Sequence, residues 1–293
     1  MIAMFYKSRI VSTLFLMSFF GLMVEPIAGQ RLLKKIKLTK GQIAVWNFSE
    51  KAGVPRQAKS KTGTFSLHEK NVAIERVTGG PLSGFAARFT GGGYLSLDSS
   101  LTGRLNINSK GAGVTVMAWV KWEGKGGFVA GLWNETAGGG KRQYGLFVNL
   151  PHYNGDSAVC GHISFFGKPT PPFPYSIDYS ASQQKVPVGK WSCIALTYDG
   201  TFIRSFLNGA FIVRQPELIK NTKGFPGYAD GAFHSKNPYQ FTEGLGNNGS
   251  DFTVGAVELK NGMGNFFIGE IGGLAVFSRA LSADEIKKLG VMQ

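Results

Sequence analysis

The residues of this sequence best suited to binding a ligand are aromatic side chains that adjoin hydrogen-bonding side chains in the sequence. An aromatic ring has a flat apolar face, and a neighbouring amide, carboxylate or guanidinium forms directed hydrogen bonds, so such pairs suit a ligand with both kinds of surface. These positions are Trp133 with Asn134 and Glu135, Arg142 with Tyr144, Tyr153 with Asn154 and Asp156, Phe173 with Tyr175, and the group Phe225, Tyr228, Phe233 and Tyr239. A single such ring more often packs a loop than binds a ligand, so the prediction rests on the set.

The usual catalytic and cofactor-binding patterns are missing from the sequence. The four histidines, at 68, 152, 162 and 234, are scattered, and no Gly-x-Ser-x-Gly segment marks a nucleophile. His152 and His162 lack the local spacing of a zinc site, and His162 is interpreted as a core or sheet-face residue. The glycine runs at 91–93 and 138–140 lack the Lys-Ser/Thr that follows in a phosphate loop.

Short β-strands must position the aromatic residues. The segment Val188–Val213 contains three runs rich in aromatic and β-branched residues, joined by Asp199-Gly200 and Asn208-Gly209. Such dipeptides suit two-residue hairpin turns, so the segment predicts an antiparallel meander. Its predicted strands are Lys190–Tyr198, Thr201–Leu207 and Ala210–Arg214.

Alternation of side chains predicts a layered structure. In the first strand of the meander Cys193 and Ala195 share one face while Ile194 and Leu196 share the other, so both faces are apolar and both must be covered. Val114–Trp122 is a second strong strand. Further strands are predicted at Ala86–Phe89 and Tyr94–Leu97, as a hairpin around three glycines, and a capping box at 282–285 predicts a helix. The pattern predicts an all-β, two-sheet antiparallel sandwich with one short C-terminal helix.

Three parts of the chain together resemble one known family. Gly189-Lys190-Trp191, Tyr198-Asp199-Gly200 and Leu207-Asn208-Gly209 lie in the centre, Ala44–Glu50 comes before them, and Phe267–Leu289 closes the chain. In this order they resemble the laminin-G-like jelly roll of the concanavalin A-like lectin/glucanase superfamily. The resemblance covers about Thr39 to Leu289 and implies one jelly-roll domain over residues 40–293.

The same resemblance implies a binding function. Glycosidases of this superfamily carry Glu-x-Asp-x-x-Glu on one strand, and the nearest match here starts at Glu270, with Gly272 and Ala275 replacing the other acids. Glycoside hydrolysis normally needs two carboxylates, so Glu270 is interpreted as a surface charge or a loop hydrogen-bond acceptor. The family then implies a non-catalytic module that recognises glycan or polysaccharide through its loops and concave sheet.

A calcium site is kept as an alternative. Relatives often carry an Asp-Glu pair where this chain has Gly272-Gly273, and Glu50 is the acid that could still contribute a ligand. Calcium usually takes several oxygen ligands with carboxylates among them, so no cofactor is predicted.

Two other functions stay open at this stage. One is a divergent polysaccharide hydrolase or lyase, for which the simplest candidate set of reactive groups is Tyr144, His152 and Arg142. The other is a structural or adhesion module in a cell-envelope assembly, which a large exposed apolar patch would favour.

The N-terminal segment predicts an exported protein. Lys7 and Arg9 precede the apolar run 10–24, and small residues follow at 27–29, so 1–29 is predicted to be a signal peptide. The apolar run is short for a membrane span, although an uncleaved anchor is the alternative. The basic segment 30–39 is expected to form a solvated arm. The mature protein is therefore predicted to be secreted, periplasmic or on the cell surface, without a membrane span.

The net charge predicts the kind of binding partner, and the cysteine count predicts a disulfide. A net charge of +14 favours polyanionic neighbours, namely acidic polysaccharide, lipopolysaccharide or nucleic acid met non-specifically. No specific nucleic acid is predicted, and an envelope protein is the alternative partner. The chain has two cysteines, Cys160 and Cys193, both in predicted strands. An even count in an exported chain predicts a disulfide between them, with two buried thiols as the alternative.

Overall fold

Two eight-stranded antiparallel sheets pack face to face in the computed structural model. It describes residues 28–60, 63–136, 140–151, 155–171, 176, 179–218, 233–234 and 236–291. The first sheet contains β1 (Gln42–Trp46), β4 (Glu75–Thr78), β5 (Phe85–Phe89), β7 (Val114–Trp122), β12 (Trp191–Tyr198), β13 (Phe202–Leu207), β16 (Tyr239–Gln240) and β20 (Gly269–Phe277). Its order is β16-β13-β12-β7-β20-β5-β4, and β1 also pairs with β20.

The second sheet carries the strands that matter most for the site. It contains β2 (Arg56–Ser60), β3 (Gly63–Lys70), β6 (Tyr94–Leu97), β8 (Phe128–Leu132), β9 (Tyr144–Leu150), β10 (Gly155–Ile163), β11 (Tyr179–Lys185) and β17 (Phe252–Val254). Its order is β11-β10-β9-β8-β17-β6-β3-β2. Two ribbons stand outside the sheets: β14 (Glu217–Leu218) with β15 (Phe233–His234), and β18 (Val257–Leu259) with β19 (Gly262–Gly264).

The core lies between the two sheets, where the predicted alternation places it. The inward residues of β7 and β12, including Val116, Leu196 and Tyr198, are fully buried in one cluster shared by both sheets. In the same cluster the Trp46 ring stacks on Phe252 at a centroid distance of 5.4 Å, and its indole N–H donates to the Phe65 carbonyl at 3.1 Å. Burying each such side chain contributes roughly 1.5–3 kcal/mol. The two-sheet antiparallel sandwich is confirmed.

Helices cover the outer face of the first sheet. Residues 28–38 form α1, and Ala283–Gly290 form α2. The predicted capping box is present: the Ser282 hydroxyl accepts from the Glu285 N–H at 3.2 Å, and the Glu285 carboxylate accepts from the Ser282 N–H at 2.9 Å. No helix in the described part of the chain is long and apolar enough to cross a membrane.

The basic segment 30–39 is largely helical and docked, which differs from the solvated arm expected from its charge. Ile36 of α1 is fully buried in an outer cluster with Leu82, Phe277 and Ile286, while the basic residues of the segment stay exposed. A 3.6-residue period places the apolar side chains on the sheet and the cations in solvent. The predicted signal peptide lies outside the described residues, except for residues 28 and 29, which are helical.

The predicted disulfide is wrong. Both cysteines are buried free thiols, and they point out of the sandwich on opposite sides. Cys193 lies in the outer cluster of the first sheet and Cys160 in that of the second, so the whole core separates them. Burial raises the pKa of the Cys160 thiol to about 12 and also raises the pKa of Cys193.

Three predicted local pairings are also corrected. The strands around Gly91–Gly93 do not form a hairpin, because β5 belongs to the first sheet and β6 to the second. The Asp199 connection is a four-residue loop, with Tyr198 facing Ile203. Asn208 and Gly209 do form a tight turn with positive φ, but after it only Ala210 pairs with β13, and Arg214 bridges to Asn237 instead. The third strand of the meander ends there because Phe211 turns to pack on the Phe206 ring at 5.5 Å.

Candidate ligand-binding site

A pocket of about 520 Å³ lies on the outer face of the second sheet. Strands β9 to β11 and Trp133, which follows β8, form its floor, and the β18–β19 hairpin stands at its side. Its volume falls in the range of about 300–1,000 Å³ that is typical of small-molecule sites. The residues that line it are Trp133, Glu135, Arg142, Phe147, Leu150, His162, Pro169, Ser176, Tyr179, Val257, Leu259, Lys260, Asn261, Gly262, Met263 and Asn265.

Four aromatic rings form the floor of this aromatic pocket. His162 stacks on Tyr179 with ring centroids 4.6 Å apart and planes at 21°. Trp133 meets His162 edge-on at 5.1 Å and Phe147 edge-on at 5.9 Å. Alternation along β9, β10 and β11 turns Phe147, His162 and Tyr179 away from the inner core, onto one outer surface. Mutual packing holds the rings in fixed positions, so the floor is preformed.

Arg142 is the charged group at the edge of the floor. Its guanidinium pairs with the Glu135 carboxylate at 3.1 Å, donates to the Ser176 hydroxyl at 3.0 Å and lies 5.8 Å from the Trp133 ring centroid. Glu135 in turn accepts from the Trp133 indole N–H at 2.8 Å. Only 5% of Arg142 is exposed, and its Nε finds no hydrogen-bond partner among the described residues. A buried donor without a partner is costly, so this N–H is available to an acceptor atom of a ligand.

A smaller polar pocket of about 170 Å³ adjoins the aromatic one. Trp133 and Met263 line both, so the two share a wall. Its other lining residues are Tyr94, Ser96, Ser99, Asn134, Lys141, Gly249, Ser250, Asp251, Thr253 and Glu258. These side chains are almost all hydroxylic or charged, in contrast to the aromatic floor next to them.

The structure brings together some of the residues chosen from the sequence and separates others. Trp133 and Arg142 line the aromatic pocket, and Asn134 lines the polar one. Asp156 is exposed and pairs with Lys185 at 3.0 Å, away from both pockets. Tyr239 lies on the edge of the first sheet and packs against the inner core. The candidates Tyr153, Tyr175 and Tyr228 lie outside the described residues, as do His152, Asn154, Phe173 and Phe225.

The structure contradicts the prediction that Tyr144 binds a ligand. It is fully buried in the inner core, where its hydroxyl donates to the Leu105 carbonyl at 2.8 Å and burial raises its pKa far above the usual value. It follows Arg142 at the start of β9, where the chain enters the sheet and the side chain turns inward. Tyr144 therefore cannot contact a ligand, and it cannot serve as the reactive hydroxyl in the lyase set of Tyr144, His152 and Arg142.

Sequence reasoning missed His162, Tyr179 and Phe147 as floor residues, and it missed the β18–β19 hairpin. One signal was present: Asn261-Gly262 lies between two short runs, which is typical of a hairpin. No comparable signal marked the floor, because a stacked aromatic cluster forms only when three strands take their register.

The strand segment 270–275, which resembles the acid-bearing strand of glycosidases, is closed here. A Cβ on Gly272 would lie 2.5 Å from the Pro81 ring, and one on Gly273 would lie 2.3 Å from Leu82 Cδ1. Glu270 is 6% exposed and pairs with Arg88 at 3.1 Å and Lys121 at 3.3 Å, so it is a buried ion-pair member and not the surface charge expected. Within the described residues, no three His, Cys, Asp or Glu side chains cluster as a metal site.

Comparisons with known proteins identify the kind of fold. The chain is similar to domain 4 of AbnA, an extracellular GH43 arabinanase from Geobacillus stearothermophilus solved in complex with arabinotriose. The TM-score is 0.51 and the identity 16%, over 85% of this chain and 98% of that domain. The CBM40 of a Ruminococcus gnavus IT-sialidase, bound to alpha2,3 sialyllactose, aligns at TM-score 0.46 and 14% identity, over 76% and 97%. No family model and no curated protein sequence matches the chain. The first likeness shows a jelly-roll-like β-sandwich.

Proposed function

We propose that this protein is a non-catalytic glycan-binding module, of the laminin-G-like kind that its sequence resembles, and that the aromatic pocket is its binding site. The observation that carries the proposal is the preformed aromatic floor with Arg142 at its edge. Sugar rings have apolar faces that pack on aromatic rings, and their oxygens accept hydrogen bonds from groups such as the free Arg142 Nε–H.

In the described part of the chain, the strand that corresponds to the acid-bearing strand of the family it resembles has no room for those acids, which supports a non-catalytic role. Glycoside hydrolysis normally needs two carboxylates flanking the bond. The strand segment 270–275 is packed under Pro81 and Leu82, and Glu135, the one carboxylate among the described residues that line the aromatic pocket, is held by Arg142 and Trp133. The export expected from the N-terminal sequence is consistent with a protein that meets polysaccharides outside the cell.

Short oligosaccharides and soluble polysaccharides are the first ligands to test, since a domain of similar fold was solved with arabinotriose. A panel of neutral and acidic polysaccharides should retard the protein in affinity electrophoresis at low salt. Lys260→Ala combined with Asn261→Ala removes two polar side chains from the hairpin tip, where both residues are exposed and line the pocket. Each hydrogen bond contributes about 0.5–1.5 kcal/mol, so the double variant should bind roughly tenfold more weakly.

Lys190→Ala is the matched control, because Lys190 is exposed in the turn before β12 of the other sheet. It should bind like the wild type. Failure of every polysaccharide to retard the wild-type protein would refute the proposal. Equal retardation of the wild type and the hairpin variant would remove the aromatic pocket as the site.

A further inference from the structure

The polar pocket has a fixed geometric relation to the proposed glycan site. Alternation along β18 directs Leu259 to the aromatic pocket and Glu258 to the polar one, while Trp133 and Met263 form the wall between them. The β18–β19 hairpin is anchored at this wall, because the Glu135 N–H donates to the Glu258 carbonyl at 2.8 Å. A ligand that lies across Trp133 therefore reaches both pockets.

Two carboxylates give the polar pocket its character. Asp251 accepts from the Ser96 hydroxyl at 3.2 Å and from the Ser99 N–H at 2.9 Å, which fixes its orientation. The Glu258 carboxylate has no hydrogen-bond or ion-pair partner among the described residues. Burial raises the pKa of the Tyr94 hydroxyl, and the charges of Glu258 and Asp251 raise it further, so both acids act on the same small space.

Buried hydroxyls without partners are the second, independent observation. Ser250 and Thr253 line the pocket and are only 4% and 5% exposed, yet neither hydroxyl has a hydrogen-bond partner in the described part of the chain. Leaving such a group unpaired costs about 1–3 kcal/mol. A volume of about 170 Å³ holds five or six waters at about 30 Å³ each, so a part of a ligand of that size fits and its polar groups can pair both hydroxyls.

We infer that the polar pocket is a second subsite, which takes a sugar residue bearing a free amine next to the residue held on the aromatic floor. The two carboxylates outnumber Lys141, the one cationic group among its described lining residues, so a protonated amine neutralises the excess charge. The hydroxyls of Ser250, Thr253 and Ser96 pair with the hydroxyls of the same sugar. This inference rests on the proposed function, since it extends the same site.

The test compares three trisaccharides of one geometry: the β-1,4 trimers of glucose, N-acetylglucosamine and glucosamine. Isothermal titration calorimetry with the full chain should show the glucosamine trimer binding about tenfold tighter than the other two, which is about 1.4 kcal/mol, because a hydrogen bond to a charged group is stronger than one between neutral groups. Glu258→Gln should remove that advantage and leave the glucose trimer within about twofold of its wild-type affinity. Glu243→Gln, at an exposed acid outside both pockets, is the control and should change nothing.

The protein's own charge excludes a trivial explanation of the expected result. A net charge of +14 repels a cationic sugar, so general electrostatic attraction cannot produce the preference. If the glucosamine trimer has no advantage, or keeps it in Glu258→Gln, the amine subsite is refuted. The proposed function still stands in that case if the glucose trimer binds and the Lys260/Asn261 double variant weakens it. Failure of all three trimers and of the polysaccharide panel would overturn both proposals.

Discussion

Replacing Ile36 with alanine should lower the free energy of unfolding by about 2–4 kcal/mol, the usual cost of emptying a fully buried aliphatic site. Ile36 has no exposed surface and is packed with Leu82, Phe277 and Ile286 in the outer cluster of the first sheet. Alanine has the higher helix propensity, but that gain is only a few tenths of a kcal/mol. The loss of packing therefore dominates, and it tests whether α1 is part of the folded domain.

Leu38→Ala is a matched control on the same helix. Leu38 is 74% exposed, so its truncation should change the stability by less than about 0.5 kcal/mol. Urea unfolding followed by tryptophan fluorescence measures both variants, since Trp119 lies in the same outer cluster as Ile36. The denaturant slope should stay constant, which keeps the midpoint shift a measure of stability.

Equal stability of the two variants would refute the docking of α1. Segment 30–39 would then behave as the solvated arm that its charge suggests, and the face above Gly273 would be open. A loss of 2 kcal/mol or more for Ile36→Ala alone would place the basic segment inside the cooperative unit.

Three further predictions follow from buried or paired groups. The thiols of Cys160 and Cys193 should not react with a thiol reagent in the native protein. In the denatured, unreduced protein the reagent should detect two thiols, and a reductant should leave the melting temperature unchanged. Gly273→Ala should cost about 1–3 kcal/mol by overpacking against Leu82, whereas Gly111→Ala, with no atom within 4 Å of the added Cβ, should be neutral in the same urea assay. Arg279, and to a lesser extent Ser282, lowers the pKa of Glu285 from 4.5 to about 2. The Arg279–Glu285 pair, whose side chains are 31% and 34% exposed, contributes under about 1 kcal/mol, which should be present above pH 4.5 and lost as the pH falls through 2. The stability difference between wild type and Arg279→Gln measures it.

The sandwich was predictable because two-residue alternation reports directly on which face of a strand is buried. Val114–Trp122 and Trp191–Tyr198 are apolar on both faces, which required layers on both sides, and the structure has them. The capping box was equally readable, since it is a local hydrogen-bond pattern over four residues.

The errors in the sequence-based predictions arise where a local pattern does not determine which strand or side chain a residue pairs with. Strands Phe85–Phe89 and Tyr94–Leu97 carry a good turn signal, yet their pairing was decided by which sheet each completes. Cys160 and Cys193 lie in strands as predicted, but a sequence does not say that their strands belong to different sheets and face opposite solvents. The charge of segment 30–39 concealed the apolar stripe around Ile36. Trp133 and Arg142 were identified from their residue types and neighbours in the sequence. The other floor residues could not be predicted, because they meet only when three strands take their register.

The two outer faces of the sandwich differ in the space that they leave for a ligand. On the first sheet Gly272 and Gly273 let Pro81 and Leu82 approach the strand directly, and α1 covers them, so this face has no room for side chains that reach a ligand. On the second sheet the short β18–β19 hairpin and described residues such as Pro169 and Ser176 border the aromatic cluster, and they leave a pocket between them. Introducing acids at 272 and 275 would therefore bury unpaired charge under a helix, at a cost in stability. Changes of binding specificity are expected instead in the hairpin and in the loop that carries Trp133 and Arg142, where side chains can vary while the two sheets keep their packing.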